Sequence, residues 1–177
     1  MRTIIPANNN PVLLEKARHI VIKDITSPSI QSLIKEMKSL LSKEEHGVAL
    51  AAPQVGESLQ LFIVSDSIFK SDEEDDATPP VTYPLVYINP KILKMSRGKK
   101  DKHEGCLSVR GIWGYVPRAE KATIQAYDEN GVLFTRGASG LLAHIFQHET
   151  DHLQGILYID KATSLSKDQH AKPPKTK

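Results

Sequence analysis

Apolar residues recur every three or four positions after Ser27-Pro28, at Ile30, Leu33, Ile34, Met37, Leu40 and Leu41. That spacing predicts an amphipathic α-helix with one face on a core. Ser27 suits its cap, Pro28 its first position, and the pattern runs to Glu44 or Glu45. The Gly-containing stretch from Gly47 to Gly56 predicts a loop, and the run from Leu59 to Ser65 a buried strand. Residues 66–80 turn acidic and then proline-containing, which predicts a solvated loop or insertion. Leu85 to Asn89 and Lys91 to Met95 predict strands interrupted by Pro90. Ala122 to Tyr127 alternates apolar and polar residues, and Glu129-Asn130-Gly131 supplies turn chemistry before Val132 to Thr135, together predicting a hairpin. A second helix is expected from near Ser139 to about Gly155, a good C-cap residue. After Asp160 the polar, Lys-rich sequence with its proline pair predicts a frayed or disordered tail. Short strands and two helices without βαβ alternation predict an α+β fold.

Composition narrows the picture. A chain of 177 residues can bury one real core and is short for two domains. The apolar content of 40% and charged content of 25% are ordinary for a soluble globular protein. A net charge of +2 gives no reason to expect nucleic acid or a membrane surface as partner. No stretch has the length of a signal peptide or a membrane span, so the expected compartment is the cytoplasm, with an organelle stroma or matrix left open. The single cysteine, Cys106, excludes an internal disulfide. A lone cysteine is usually a small core residue, so any role for it rests on its neighbours.

Candidate chemistry lies in the second helix, in Gln147-His148-Glu149-Thr150-Asp151-His152. Four residues along an α-helix advance about 6 Å and just over one turn, so His148 and His152 share a face and can grip one divalent cation. Glu149 stands beside them, able to reach a water near the ion without being a ligand. The bland alternative is an exposed polar helix face with i,i+4 pairs. His144 extends the histidine line, but residues eight apart lie about 12 Å apart along the axis, too far to share one ion. His144 therefore reads as a pocket-wall or surface residue.

A third ligand must come from elsewhere. The histidine expected six residues after the second in one zinc-protease class is Tyr158 here. Another protease class takes a later glutamate, yet beyond His152 the only acids are Asp160 and Asp168. Cys106, in Glu104-Gly105-Cys106-Leu107-Ser108, is the best remaining candidate, since thiolate binds iron or zinc strongly. Spacing alone does not prove it.

Three strings, GVALAAPQVG (47–56), EGCLS (104–108) and QHETDHLQG (147–155), together resemble the peptide deformylase family in order and separation. The resemblance covers most of residues 1–162. It implies a single catalytic domain over that span, with short antiparallel or mixed sheets around the central helix bearing HExxH, and a tail over 163–177. It implies removal of the formyl group from N-formylmethionyl nascent polypeptides at the ribosome, in bacteria or organelles. It also implies one divalent ion, Fe2+ in the cell, with Zn2+, Ni2+ or Co2+ able to occupy the same site. Carried over by position, Cys106, His148 and His152 are the metal ligands and Glu149 the general base. Gln54 and the backbone N–H of Leu107 are the oxyanion donors. Leu141, Ile145 and Val48 are expected to line the methionine pocket, with the backbone at Ala49 against the substrate chain. Arg118 resembles a family arginine that pairs with Glu104 and braces the cysteine loop.

This sequence departs from the family at Ala49, where glycine is usual and an added methyl narrows the approach to the substrate. Arg110 stands where proline is common, and the tail lacks the pattern of the basic C-terminal helix that many bacterial members carry for ribosome docking. Two competing readings follow. An HExxH zinc endopeptidase leaves Gln54 and Cys106 without a role. A catalytically silent, metal-stabilised homologue or binding module leaves Glu149, Gln54 and Leu107 without one.

Overall fold

The computed structural model describes residues 2–69, 84–167 and 170. Helix α1, Pro28–Leu41, is capped by Ser27, whose hydroxyl accepts from the Ile30 N–H. It stops short of the expected Glu44, because the Glu44 N–H turns back to the Leu41 carbonyl and Gly47 must pass under the helix end. A Cβ at Gly47 would lie 2.9 Å from the Leu41 side chain. The expected loop after Gly47 contains a short strand, β1 (Ala49–Ala51), and a 3-10 turn, Ala52–Val55.

Strands β1, β2 (Leu61–Val64), β3 (Val86–Met95), β6 (Lys121–Tyr127) and β7 (Leu133–Ser139) form an antiparallel sheet in the order β1-β2-β3-β6-β7. Strand β2 explains its own apolar run. Leu61 and Ile63 pack with Leu33, Ile34 and Met37 of α1, whereas Phe62 and Val64 pack with Phe146 on the opposite side. The predicted break at Pro90 is instead a bulge in one continuous strand. The register to β6 slips between Ile88 and Lys91, Asn89 takes φ 50°, and its amide clasps the backbone of Ile20. The β6–β7 hairpin forms as expected.

A second sheet pairs β4 (Lys99–Cys106) with β5 (Val109–Ala119), and β8 (Ser164–Ser166) adds to the other edge of β5. This strand lies just past residue 162, where the catalytic domain is expected to end, and Gly114 leaves room for Leu165 beside it. Helix α2, Gly140–Leu153, lies against the inner face of the five-stranded sheet and carries the histidine motif. Gly155, at φ 72°, ends it where a Cβ would meet the Leu14 carbonyl oxygen at 2.6 Å. A short helix, α3 (Tyr158–Lys161), follows. Most of the acidic 66–80 segment and the final tail residues lie outside the described residues. No helix among the described residues is long and apolar enough to cross a membrane.

Candidate active site and metal centre

Strands β4 and β5 are joined by the two-residue turn Leu107-Ser108, which puts Cys106 at the end of a hairpin facing α2. His148 and His152 are buried or nearly so, with ring centroids 4.8 Å apart and planes almost perpendicular. One ligand atom each from Cys106, His148 and His152 lies within 4.8 Å of the others. The Cys106 Sγ to His152 Nε2 distance is 3.3 Å. A tetrahedral ion with ordinary metal–sulfur and metal–nitrogen bonds separates such atoms by about 3.5 Å, so the donor set fits a divalent cation. His144 stands outside the group, as its helical offset required.

Electrostatics favour the same content. Burial opposes charge on His148, yet its contacts with Cys106 and Glu104 and the nearby Glu149 carboxylate raise its pKa well above the usual value. Negative groups thus gather around a point that attracts positive charge. Burial, reinforced by His148, keeps His152 neutral and its lone pair available. Burial also lifts Glu149 to about 7, with the Glu104 charge adding and His148 opposing. Glu149 Oε2 and His152 Nδ1 are buried without a hydrogen-bond partner among the described residues.

Behind the three candidate ligands, Glu104 is a buried anchor. Burial would raise its pKa, but hydrogen bonds from His144, His148 and Arg118 outweigh that and hold it far below the usual carboxylate range. Arg118 donates through Nε to Glu104 Oε1 at 2.6 Å and through Nη1 to Asp151 Oδ2 at 2.6 Å, pinning the cysteine hairpin to α2. His148 Nδ1 lies 2.7 Å from Glu104 Oε2. An ionised carboxylate only accepts, so Nδ1 carries a proton and Nε2 is the ring nitrogen turned toward Cys106 and His152, the one that could hold an ion. Gln147 was quoted from the sequence without a role. Its amide accepts from the Ala119 N–H and donates to the Ala119 carbonyl, both at 2.9 Å, replacing a strand partner at the end of β5. Asp151 was also missed, and no periodicity marks either residue, since their partners lie on another element.

These groups open on a cleft of about 630 Å³ that Val48, Ala49, Gln54, Leu107, Leu141, Ile145 and Glu149 help to line. Gln54 Oε1 accepts from the Ala51 N–H at 2.8 Å, which turns its Nε2 donor toward Ser108 Oγ and Cys106 Sγ. Leu141 is 52% exposed where it meets the cleft, whereas Ile145 is buried. The rim carries an ion pair the sequence did not foretell, Arg110 to Glu44 at 2.8 Å. Trp113 stacks flat on His103 and covers Gly105.

Comparison with known proteins points the same way. The polypeptide deformylase family model matches residues 1–168. The peptide deformylase of Desulforudis audaxviator is 37% identical over 89% of this chain and 92% of its own length. That of Christiangramia forsetii is 40% identical, covering 91% of this chain and 82% of its own. Among solved structures, a Legionella pneumophila peptide deformylase superposes with a TM-score of 0.76 at 34% identity, covering 92% of this chain and 86% of its own. A Met-Ala-Ser-bound class I type b peptide deformylase of Acinetobacter baumannii reaches 0.77 at 28% identity, covering 91% and 98%. The chain belongs to the peptide deformylase family and is a hydrolase of N-formylated peptides.

Proposed function

We propose that Cys106, His148 and His152 hold a divalent ion, Fe2+ in the cell and replaceable by Zn2+, Ni2+ or Co2+, and that Glu149 is the base. The observation that carries this is the thiol and two imidazoles meeting at a cleft with an unpartnered, elevated Glu149 beside them. A bound cation supplies Lewis acidity, polarising the formyl carbonyl and making water a better nucleophile near neutral pH. Glu149 takes a proton from the attacking water and returns it to the departing amine, so formate and a free N-terminus leave. Gln54 Nε2 and the Leu107 N–H donate to the carbonyl oxygen as it gains charge. Val48, Leu141 and Ile145 receive the methionine side chain, and Ala49 borders the substrate backbone. The substrates are formylated nascent chains at the ribosome, in a bacterial cytoplasm or an organelle. The relative that binds Met-Ala-Ser, a peptide with the methionine-first sequence of a product, supports a methionine-first peptide in this cleft.

Among the described residues, the endopeptidase alternative finds its downstream positions already engaged. Tyr158 donates its hydroxyl to the Ile112 carbonyl, and the downstream acid Asp160 is spent on the Leu157 N–H. The test is formate release from a formyl-Met peptide by protein purified without oxygen, beside Glu149→Ala. The parent is expected to be active, and the variant metal-loaded and nearly inactive; equal release would remove Glu149 from the mechanism. Acetyl-Met peptide is expected to be a poor substrate, because its extra methyl must fit against the oxyanion donors, and comparable turnover would refute that fit.

A further inference from the structure

Glu104 accepts from two successive turns of one helix. His148 Nδ1 reaches Oε2 at 2.7 Å, and His144 Nε2, one turn earlier, reaches Oε1 at 2.6 Å. Arg118 approaches the same carboxylate from β5, touching Oε1 at 2.6 Å and Oε2 at 3.1 Å. The terminal torsion of a glutamate is broad and two-fold, and Arg118 forks both oxygens from β5, so His144 is the contact that fixes this carboxylate against α2 itself. Arg118 is shared with Asp151, which ties it to the far end of α2. Among the described residues, His144 is the one helix contact on Glu104 besides His148 itself. Its side chain is only 12% exposed, so the contact is held against little competition from water.

We propose that His144 is a positioning residue for the metal centre: by holding Glu104 Oε1 it fixes the carboxylate whose other oxygen, Oε2, sets the tautomer and direction of His148. The proposal rests on the reading of His148 as a ligand and adds to it a residue that touches neither ion nor substrate. Outer partners of ligating histidines commonly contribute 10- to 100-fold in metal affinity. Glu104 is that outer partner here, and His144 acts through it, so this range bounds the effect of removing His144.

The test uses the full chain, first shown to bind metal and release formate, so that failure of the broader reading is seen separately. His144→Leu deletes the donor, His144→Asn keeps polarity but is too short to reach Glu104, and His144→Gln keeps an N–H near the position of Nε2. Metal affinity is read by competition with a coloured chelator, and ligand geometry by the visible bands of the Co2+-loaded protein. Leu and Asn are expected to weaken metal binding about 10- to 100-fold and to shift the cobalt bands, with Gln close to the parent. Should Leu fail to fold, Asn carries the comparison. Parent-like affinity and bands in Leu or Asn, with only KM altered, would make His144 a pocket wall and overturn the proposal. Equal weakening in all three variants in step with lost thermal stability would overturn it as well.

Discussion

Gln54→Leu separates two jobs that one side chain performs. Gln54 is 2% exposed, its Oε1 holds the Ala51 N–H at 2.8 Å, and its Nε2 faces the cysteine loop. Leucine keeps the volume and deletes both. The Ala51 N–H is then left in a buried strand without its partner, at a cost of about 1–3 kcal/mol. For a chain of this size that corresponds to a fall in Tm of roughly 2–12 °C. Loss of one oxyanion donor costs about 3 kcal/mol of barrier, so kcat is expected to drop by about 100-fold. The contact strengthens only as charge develops on the oxygen, so KM moves little. The assay is initial-rate formate release over a range of formyl-Met peptide concentrations, below the variant's Tm and at matched metal content. A folded, metal-loaded variant with kcat within about threefold of the parent would refute the donor role, and a rise in KM alone would reassign Gln54 to ground-state binding.

Arg118→Met leaves Glu104 and Asp151 without their shared cation. Breaking such a buried pair costs about 3–5 kcal/mol, read as a lower Tm, and a change under 1 kcal/mol would contradict the anchoring role. Dialysis against a strong chelator is expected to abolish formate release, with recovery on adding back Fe2+ or Co2+ without oxygen; undiminished release from metal-free protein would defeat the ligand assignment. The restored ion at about 100 times its dissociation constant should also raise stability by about 2.7 kcal/mol. Gly105→Ala drives a methyl to 2.6 Å from the Trp113 ring. Trp113 is the chain's single tryptophan, so its displacement is read directly as altered intrinsic fluorescence, and an unchanged spectrum would argue against the stacked arrangement.

Both helices, the buried strand β2 and the β6–β7 hairpin were legible because each carries its own period: a stripe on α1, a doubly buried run in β2, alternation in β6. The β4–β5 hairpin was not. Its opening residues Lys99, Lys100 and Asp101 are exposed, so no face is marked apolar, and partner strands rather than side-chain pattern hold it in register. Strand β8 escaped for the same reason, its place fixed by the free edge of β5. At the site, the two histidines were legible from one turn of helix. Cys106 was the candidate left by elimination, and the family resemblance added to it, since it lies 42 residues from His148 in sequence and spacing alone does not join them; the network through His144, Gln147 and Asp151 exists only in three dimensions.

The cysteine turn belongs to the three-stranded sheet, whereas α2 rests on the five-stranded one. The ion proposed for Cys106 and the two imidazoles would therefore be a rivet through the seam between two halves, beside the Arg118 and Gln147 fastenings. Withdrawing it would loosen that seam first, so amide exchange would quicken along β4 and β5 while α1 and β2, on the far side, kept their protection. Occupancy and the alignment of the catalytic groups would then rise and fall together.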